Sequence, residues 1–116
     1  MILSKSPLLI IGYTSPENIN NCKLSNVSFT ITSLDQLCLV SKLINNRRTI
    51  HLKIDTGMHR QGILPNQIDE ATDIIRSSKL LHLGGVCSHL ADADNTDQTF
   101  TQLQIRVWEE TIRSIK

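Results

Sequence analysis

Aromatic residues are scarce in this sequence, which contains two phenylalanines, one tryptophan and one tyrosine among 116 residues. Proteins that bind single-stranded nucleic acid stack the bases on aromatic rings, so the composition argues against that function. An excess of one charge is lacking as well, because charged residues make up 20% of the chain and the formal net charge is +1. This balance provides no electrostatic attraction to nucleic acid or to an anionic membrane. We therefore expect neither partner.

Long apolar runs are also missing. The longest uncharged stretch near the start, SPLLIIGYTSP, is far shorter than the ~20 apolar residues that cross a membrane. The chain has no recognisable secretory leader, and its cysteines, Cys22, Cys38 and Cys87, lack C-x-x-C spacing. We expect a cytoplasmic protein whose thiols are reduced and mostly buried. With 116 residues and no repeats or low-complexity linkers, the chain is expected to form one domain.

Strand and helix patterns alternate along the chain. Strands are predicted at 8–12, 27–32, 49–55 and 80–90, and helices at 15–18, 33–46, 65–78 and 97–115. The first strand is a continuous apolar run before Gly12, a pattern typical of strands covered on both faces. The alternation favours βαβ units with a parallel sheet and right-handed crossovers. Because an eight-stranded barrel needs about 250 residues, the chain is either a small open sheet or half of a larger barrel.

Several helix ends carry recognisable signals. Ser15 before Pro16 is a candidate N-cap, and Ser33 with Gln36 forms a capping-box pattern. An Asn or Thr of the segment ADADNTDQ is expected to cap the last helix. That helix has two apolar stripes, Phe100/Leu103/Val107 and Ile105/Trp108/Ile112/Ile115. Because one buried face would not need both stripes, we expect a second neighbour for this helix.

The segment HLKIDTGMHRQG at 51–62 contains an unusual strand. Leu52 and Ile54 lie on one face, whereas His51, Lys53 and Asp55 lie on the other. A parallel strand inside a doubly covered sheet is apolar on both faces. The polar face therefore indicates either a strand at a solvated edge or a barrel interior, where side chains near the C-terminal mouth form active sites. Periodicity alone leaves both alternatives open.

Two further residues follow strands. Arg60 comes after a glycine-containing turn, where its guanidinium could bind a carboxylate or phosphate, or could simply be solvated. His89 is expected to end the fourth strand at the same height, and it could titrate, stack or bind a metal. A metal would need Asp92 and Asp94, but H-x-x-D-x-D is not a well-established ligand spacing, so we expect no metal and a capping or solvated role for the acidic run. The residues alone predict an α/β domain with a site near Lys53, Arg60 and His89.

Three segments of the chain resemble the sequence signature of alanine racemases. HLKIDTGMHRQGI resembles that family's H-x-K-x-D-T-G-M-x-R-x-G strand and loop. GGVCSHLADADNTD resembles its G-x-x-[TS]-H-[FL]-A-x-A-D segment, and PLLIIGYTSPENI resembles its P-I-L-V-L-G-x-T-x-P-E strand and loop. The matches occur in the family's order and at its spacing, and they cover nearly the whole chain.

The resemblance implies a fold and an activity. Alanine racemases have an N-terminal βα-barrel that binds pyridoxal phosphate (PLP), followed by a β-rich C-terminal domain, and the active enzyme is a homodimer. By resemblance, residues 1–116 would be an internal fragment of that PLP-binding barrel domain, covering its third to sixth strands. The expected fold is α/β, a partial (half) TIM-type barrel with parallel strands and about four βα units. The expected activity is that of a cytoplasmic isomerase that interconverts L- and D-alanine, a peptidoglycan precursor, through a covalent adduct with PLP.

The same resemblance implies roles for single residues. Arg60 is similar to the arginine that contacts the phenolic oxygen of the cofactor and the substrate carboxylate. Lys53 is similar to a lysine that is carbamylated in many members, where its negative charge holds that arginine in place. His89 corresponds to the histidine beside the pyridine ring, and Asp94 to an aspartate near the substrate entry route. Gln61 departs from the family, in which leucine is usual.

Some of the family's functional groups have no counterpart in these residues. The lysine that forms the Schiff base lies in a K-A-N-A-Y-G-H-G-like segment, and nothing like it occurs here. The catalytic tyrosine of the partner subunit and the phosphate-binding loops have no match either. We expect the 116 residues alone to contain no catalytic residue, to bind PLP weakly or not at all, and to racemise nothing. The alternative is a non-catalytic half-barrel that associates with another chain through its unpaired strand edges. Alanine, serine or a broader substrate range stays open.

Overall fold

The computed structural model describes residues 6–115. The elements are β1 (Leu8–Ile10), α1 (Pro16–Asn21), β2 (Val27–Ile31), α2 (Leu34–Leu43), β3 (Arg48–Lys53), a 3-10 turn (Pro65–Gln67), α3 (Ile68–Ser77), β4 (Leu81–Cys87) and α4 (Thr99–Arg113). The four strands form one parallel sheet in the order β1-β2-β3-β4. The predicted alternation of parallel strands and helices is confirmed.

The core lies between one face of the sheet and the helices α1, α2 and α3. Ile31, Ile50 and Leu52 are wholly buried on that face, and Ile19 and Leu37 meet them from α1 and α2. Ile68, Ala71, Thr72 and Ile75 form the buried face of α3, as their spacing predicts. Because three successive helices cover the same face, the opposite face of the sheet stays free of helices. We call this opposite face the inner face.

Local capping signals explain where the first two helices begin. The Oγ of Ser15 accepts the N–H of Asn18 at 3.2 Å, and the Oγ of Ser33 accepts the N–H of Gln36 at 3.1 Å. The second half of the predicted capping box is wrong, because the Oε1 of Gln36 accepts the N–H of Thr32 instead. Its Nε2 donates to the carbonyl of Thr14 at 2.8 Å, so this buried amide links the segments that follow β1 and β2.

The start of α4 differs from the expectation. Gln98 occupies the N-cap and makes no capping hydrogen bond with its side chain, so an Asn or Thr cap is wrong. The carboxylate of Asp97 instead accepts the hydroxyl of Thr99 at 2.7 Å and its N–H at 3.0 Å. These two bonds from Thr99 lower the pKa of Asp97. A carboxylate thus neutralises the N-terminal end of α4 from one residue before the cap.

Two predictions about strands are corrected. β1 is not covered on both faces, because Leu8, Leu9 and Ile10 are 48%, 40% and 41% exposed at the edge of the sheet. β4 ends at Cys87 rather than at residue 90, so His89 lies in the following loop. The register between β3 and β4 shifts by one residue between Ile50 and His51. Ile50 pairs with Leu83 and His51 with Gly85, so Gly84 is an extra residue in β4, as in a β-bulge.

The last helix packs through part of one predicted apolar stripe and through polar residues that the stripes did not predict. Its buried residues are Thr101, Gln104 and Thr111, and Trp108 and Ile115 pack partly against the core between and after them. The stripe containing Phe100 and Leu103 remains 39% and 49% exposed at these positions. The helix therefore packs on this chain through polar side chains together with Trp108, and the stripe with Phe100 and Leu103 stays partly exposed.

Two features of the whole described chain complete the fold. Cys22, Cys38 and Cys87 are free thiols and each is partly exposed, so the expectation of mostly buried thiols is wrong in degree. Among residues 6–115, no helix combines the length and the apolar character that a membrane crossing needs.

Candidate functional site

The polar face of β3 belongs to an internal strand. β3 lies between β2 and β4, so the alternative of a solvated sheet edge is wrong. His51 and Lys53 lie on the inner face, opposite the buried Ile50 and Leu52. An internal strand with cationic and imidazole groups on its open face has the pattern of a barrel interior that binds a polar ligand.

Two glycines of β4 accommodate the ring of His51. A Cβ on Gly85 would lie 2.9 Å from the Nδ1 of His51, and one on Gly84 would lie 2.9 Å from its Nε2. The imidazole therefore rests on the backbone of β4, where any larger residue would displace it. The pair of glycines fixes His51 flat against the inner face.

Lys53 lies two register pairs further along the same two strands, on the same face as His51. Its register partner on β4 is Cys87. Burial raises the pKa of the Cys87 thiol, and the positive charge of Lys53 offsets part of that rise. The ammonium of Lys53 therefore acts electrostatically on the inner face, which makes Cys87 a natural reporter of the charge at Lys53.

The loop that carries Arg60 is fixed at both of its ends. The N–H of Asp55 donates to the carbonyl of Ile63 at 2.9 Å, and the N–H of Ile63 donates to the carbonyl of Lys53 at 2.7 Å. The N–H of Gly62 donates to the carbonyl of Thr32, which extends the attachment to β2. The chain thus leaves β3, makes a short loop and returns to the same place, as compact loops with close ends do.

The D-T-G-x-x-x-x-G spacing of this loop has a conformational explanation. The carboxylate of Asp55 is 7% exposed and accepts the N–H groups of Gly57 and His59 at 3.0 and 3.1 Å. Gly57, His59 and Gly62 have positive φ angles of 141°, 58° and 144°. A Cβ on Gly62 would lie 2.7 Å from the backbone N of Asp55, so only glycine fits there. Asp55 therefore folds the loop, and it does not point into the site as the alternation predicts.

Arg60 is presented by this folded loop. Its side chain is exposed at the C-terminal end of β3, and among residues 6–115 it forms no ion pair. A guanidinium held on a fixed loop beside the strand ends is available for a carboxylate or another anion. Arg60 and Lys53 thus bring two positive charges to the same end of one strand.

His89 and Asp94 lie in the segment after β4. Both side chains are exposed, and Asp94 is part of a turn in which Asn95 donates to the carboxylate of Asp92 at 2.8 Å. In the part of the chain that the structure describes, no group of three or more His, Cys, Asp or Glu side chains could hold a metal ion. The hypothesis that His89, Asp92 and Asp94 bind a metal therefore has no support here.

The segments that follow β3 and β4 are hydrogen-bonded to each other. The hydroxyl groups of Thr56 and Ser88 lie 2.9 Å apart, and the Oγ of Ser88 donates to the carbonyl of Ile54 at 2.7 Å. Arg60 and His89 therefore lie on neighbouring segments at one edge of the sheet. Periodicity could not show this link, because a hydroxyl pair between distant segments leaves no repeating pattern in the sequence.

The chemistry of the face indicates what kind of ligand fits. Lys53 and Arg60 supply positive charge, and the exposed ring of His89 supplies a planar surface. The hydroxyl of Thr30, beside His51 on the inner face, is buried without a hydrogen-bond partner among the described residues. A buried hydroxyl of this kind costs stability unless something satisfies it. The donor set fits an anionic, planar ligand such as PLP.

Fold and site together define a partial parallel βα-barrel with a cationic inner face and an arginine loop at the C-terminal ends of its strands. The family model described as "Alanine racemase, N-terminal domain" matches residues 2–116. The chain belongs to this family, and the expected half-barrel fold is confirmed.

Curated relatives and solved structures agree with this assignment. "Alanine racemase 2" of Oceanobacillus iheyensis is 34% identical over 116 residues, which is 96% of this chain and 29% of that protein. The alanine racemase of Clostridium difficile 630 in complex with cycloserine superposes with a TM-score of 0.79 at 25% identity, over 92% of this chain and 30% of its own. The E. faecalis alanine racemase shares the fold with a TM-score of 0.87 at 21% identity, over 97% and 32%. The chain thus spans about 30% of the length of these three proteins.

Proposed function

We propose that residues 1–116 are part of the PLP-binding barrel domain of a cytoplasmic alanine-racemase-type isomerase, which interconverts L- and D-alanine as a homodimer. The observation that carries the proposal is the fixed loop that presents Arg60 beside the cationic inner face of β3. Its sequence pattern matches the alanine racemase signature, and its conformation requires the residues of that signature, above all Asp55 and Gly62. Identity of 34% to a relative named alanine racemase supports the same function.

The residues of this chain divide the work of ligand binding. Bound PLP supplies an electron sink that makes the α-hydrogen of an amino acid acidic. Arg60 would bind the cofactor and the substrate carboxylate through its paired N–H donors. His89 would help to hold the ring of the cofactor, and Asp94 would lie near the substrate entry route. Together these groups orient the cofactor and the substrate.

Lys53 has a supporting role in this proposal. Its half-buried amine lies on the inner face at the end of β3. In its neutral form the amine adds CO₂ and releases a proton, which turns a positive side chain into a negative carbamate. A carbamate at this position would attract the guanidinium of Arg60 and hold it in one orientation.

The bases for racemisation lie outside these residues in our proposal. Racemisation needs one base on each face of the α-carbon, and the lysine and tyrosine motifs that supply them in the family have no match in the 116 residues. We therefore expect the isolated chain to bind PLP weakly or not at all and to leave L-alanine unchanged.

The test uses the purified 116-residue chain. PLP is added in increments and its absorbance is recorded, and L-alanine is then incubated with the mixture and analysed for D-alanine. We expect any weak binding to be lost in Arg60→Met and kept in Arg47→Met, a matched change at an exposed arginine before β3. Formation of D-alanine by the isolated chain, or equal binding by both variants, would contradict the proposal.

A second candidate function is supported by β1. Its residues Leu8, Leu9 and Ile10 are 40–48% exposed along an open sheet edge, which invites pairing with another strand. In this alternative the chain is a non-catalytic half-barrel that acts by association. It predicts a molecular mass in size-exclusion chromatography that rises with concentration in the absence of PLP, whereas a mass that stays monomeric over the whole range would exclude it.

A further inference from the structure

A fully buried amide lies at the centre of α4. The side chain of Gln104 is 0% exposed, although glutamine is usually found at the surface. Its Oε1 accepts the N–H of Ala91 at 3.0 Å. Its Nε2 donates to the carbonyl of His89 at 3.2 Å and to the hydroxyl of Thr56 at 3.3 Å. The amide thus uses its acceptor and both of its donors.

The partners determine the direction of every hydrogen bond. The carbonyl of Ile54 can only accept, so Ser88 must donate its single hydroxyl proton there. Ser88 consequently accepts from Thr56, and the Oγ1 of Thr56 is left to accept from the Nε2 of Gln104. The bonds run one way, from Gln104 through two hydroxyl groups to the backbone of Ile54, the residue that follows β3. Such a chain has no alternative arrangement that keeps all of its groups satisfied.

The same side chain is packed tightly against the arginine loop. A Cβ on Gly57 would lie 3.3 Å from the Cγ of Gln104, so the glycine leaves the space that the amide fills. Gln104 therefore touches both the loop 55–62, which carries Arg60, and the segment 88–91, which carries His89. We call these two the mouth segments.

We infer that Gln104 is a positioning residue that holds the two mouth segments at one fixed separation. The amide makes no contact with Arg60 or His89 side chains in the bonds described, and it acts through the backbone at Ala91 and His89 and through Thr56. The meaning of this separation for catalysis rests on the proposed function. The mechanical link itself does not, because it depends only on the hydrogen bonds.

The first test compares Gln104→Met with Gln102→Met by amide hydrogen exchange on the 116-residue chain. Both variants replace an amide by an apolar side chain of similar length, but Gln102 is exposed. We expect the Ala91 amide to exchange about fivefold faster or more in Gln104→Met, as the loss of one hydrogen bond predicts. The Gly57 amide should follow, while the amides in the centre of β3 keep their rates.

A second variant tests the inference independently, in case Gln104→Met does not fold. Thr56→Val keeps the shape of the side chain and removes the hydroxyl that connects Gln104 to Ser88. We expect faster exchange at Gly57 and His59, with Ala91 less affected because its own bond to Gln104 remains. The inference is wrong if both variants match Gln102→Met at Ala91 and Gly57. It is equally wrong if all amides of the sheet accelerate together, because Gln104 would then contribute only to global stability.

The final readout separates positioning from the proposed function. The ring-proton NMR signals of His89 should shift in Gln104→Met and stay unchanged in Gln102→Met, with or without ligand. With PLP itself as the probe, we expect weaker binding in Gln104→Met than in the control. If the unaltered chain binds no PLP at any concentration tested, which the proposed function also allows, the exchange rates and the His89 signals alone decide the role of Gln104.

Discussion

β1 and β3 are parallel strands of the same sheet with opposite surroundings. β1 has the sequence Leu-Leu-Ile, yet its residues are 40–48% exposed at the sheet edge. β3 carries Arg48, His51 and Lys53, yet it is paired on both sides. In a free-standing sheet the apolar strand is expected inside and the charged strand at the edge. The reversal teaches that neither strand was selected for the sheet that these residues form by themselves.

A partial barrel accounts for both strands. In a closed barrel, the edge of β1 would pair with a further strand and its exposed side chains would be covered. The inner face of β3 would line the interior near the strand ends, where polar side chains bind ligands. The contrast between the two strands is therefore a direct consequence of the half-barrel fold.

The largest effect is expected from replacing Gly62, the last residue of the loop that follows β3. In Gly62→Ala the new Cβ would lie 2.7 Å from the backbone N of Asp55 at a φ of 144°. We expect the free energy of unfolding to fall by about 4 kcal/mol or more in urea denaturation. Gly12→Ala, just after β1, meets no atom within 4 Å and should be neutral or stabilising by up to about 1 kcal/mol. Equal losses in the free energy of unfolding for the two variants would contradict the expected difference between the loop after β3 and the end of β1.

The next effect compares two leucines. Leu52 of β3 is 0% exposed and Leu9 of β1 is 40% exposed. We expect Leu52→Ala to lower the free energy of unfolding by about 2–4 kcal/mol, because it leaves a cavity in the core. Leu9→Ala should cost less than about 1 kcal/mol, since its side chain is far from fully removed from water. A cost at Leu9 as large as that at Leu52 would show that β1 is covered in solution, for example by self-association.

Asp55 tests how the arginine loop is held. Asp55→Ala removes the acceptor of two backbone N–H groups, at Gly57 and His59. We expect a loss of about 1–3 kcal/mol in thermal or urea unfolding, and faster exchange of these two amides. Asp55→Asn keeps one acceptor oxygen and should restore most of the stability. If Asn is as destabilising as Ala, the hydrogen bonds do not explain why aspartate stands here.

The smallest effect concerns the charge of Lys53. Burial raises the pKa of the Cys87 thiol and Lys53 lowers it in part, so Lys53→Met should raise that pKa further. Alkylation of Cys87 by iodoacetamide in a Cys22→Ser, Cys38→Ser background would show this as a rate profile moved to higher pH. Carbamylation of Lys53 would also raise the pKa of Cys87, because it removes the positive charge. Added bicarbonate should therefore move the rate profile to higher pH in the chain that keeps Lys53. A profile that Lys53→Met does not change would mean that the Lys53 charge does not reach the thiol.

Features that depend on near neighbours in the chain were predictable from the sequence. Ser15 and Ser33 each cap a helix by accepting the N–H of the residue three positions later. The alternation of β3 correctly places Leu52 on one face and His51 and Lys53 on the other. Arg60 and His89 were singled out because they follow strands, and the family signature added their binding roles, which stay predictions. The exposure of β1 was not predictable, because apolar sequence indicates a preference for burial and not the presence of a covering element.

Features that depend on distant partners were missed. Gln104 bonds to Thr56 across 48 positions, and one glutamine among the polar residues of an amphipathic helix gives no sign of such a partner. Asp55 lies two residues after Lys53, so strand alternation predicts that both side chains lie on the same face. Its carboxylate instead turns back into the loop, because two backbone N–H groups lie within hydrogen-bond distance. Tertiary hydrogen bonds therefore determine the conformation of the loops beside the site, whereas local sequence patterns determine the strands and helices that carry these loops.

We propose that the inner face of β3 and the Arg60 loop form the cofactor and carboxylate side of a racemase site. The most direct measurement replaces the matched segment of the Oceanobacillus iheyensis alanine racemase 2 by these residues and follows the interconversion of L- and D-alanine. We expect an active graft in which Arg60→Met lowers kcat/KM by about 100-fold or more, as the loss of a charged donor at a reacting centre does, while Arg47→Met has little effect. A folded, active graft in which Arg60→Met keeps the full rate would contradict the claim.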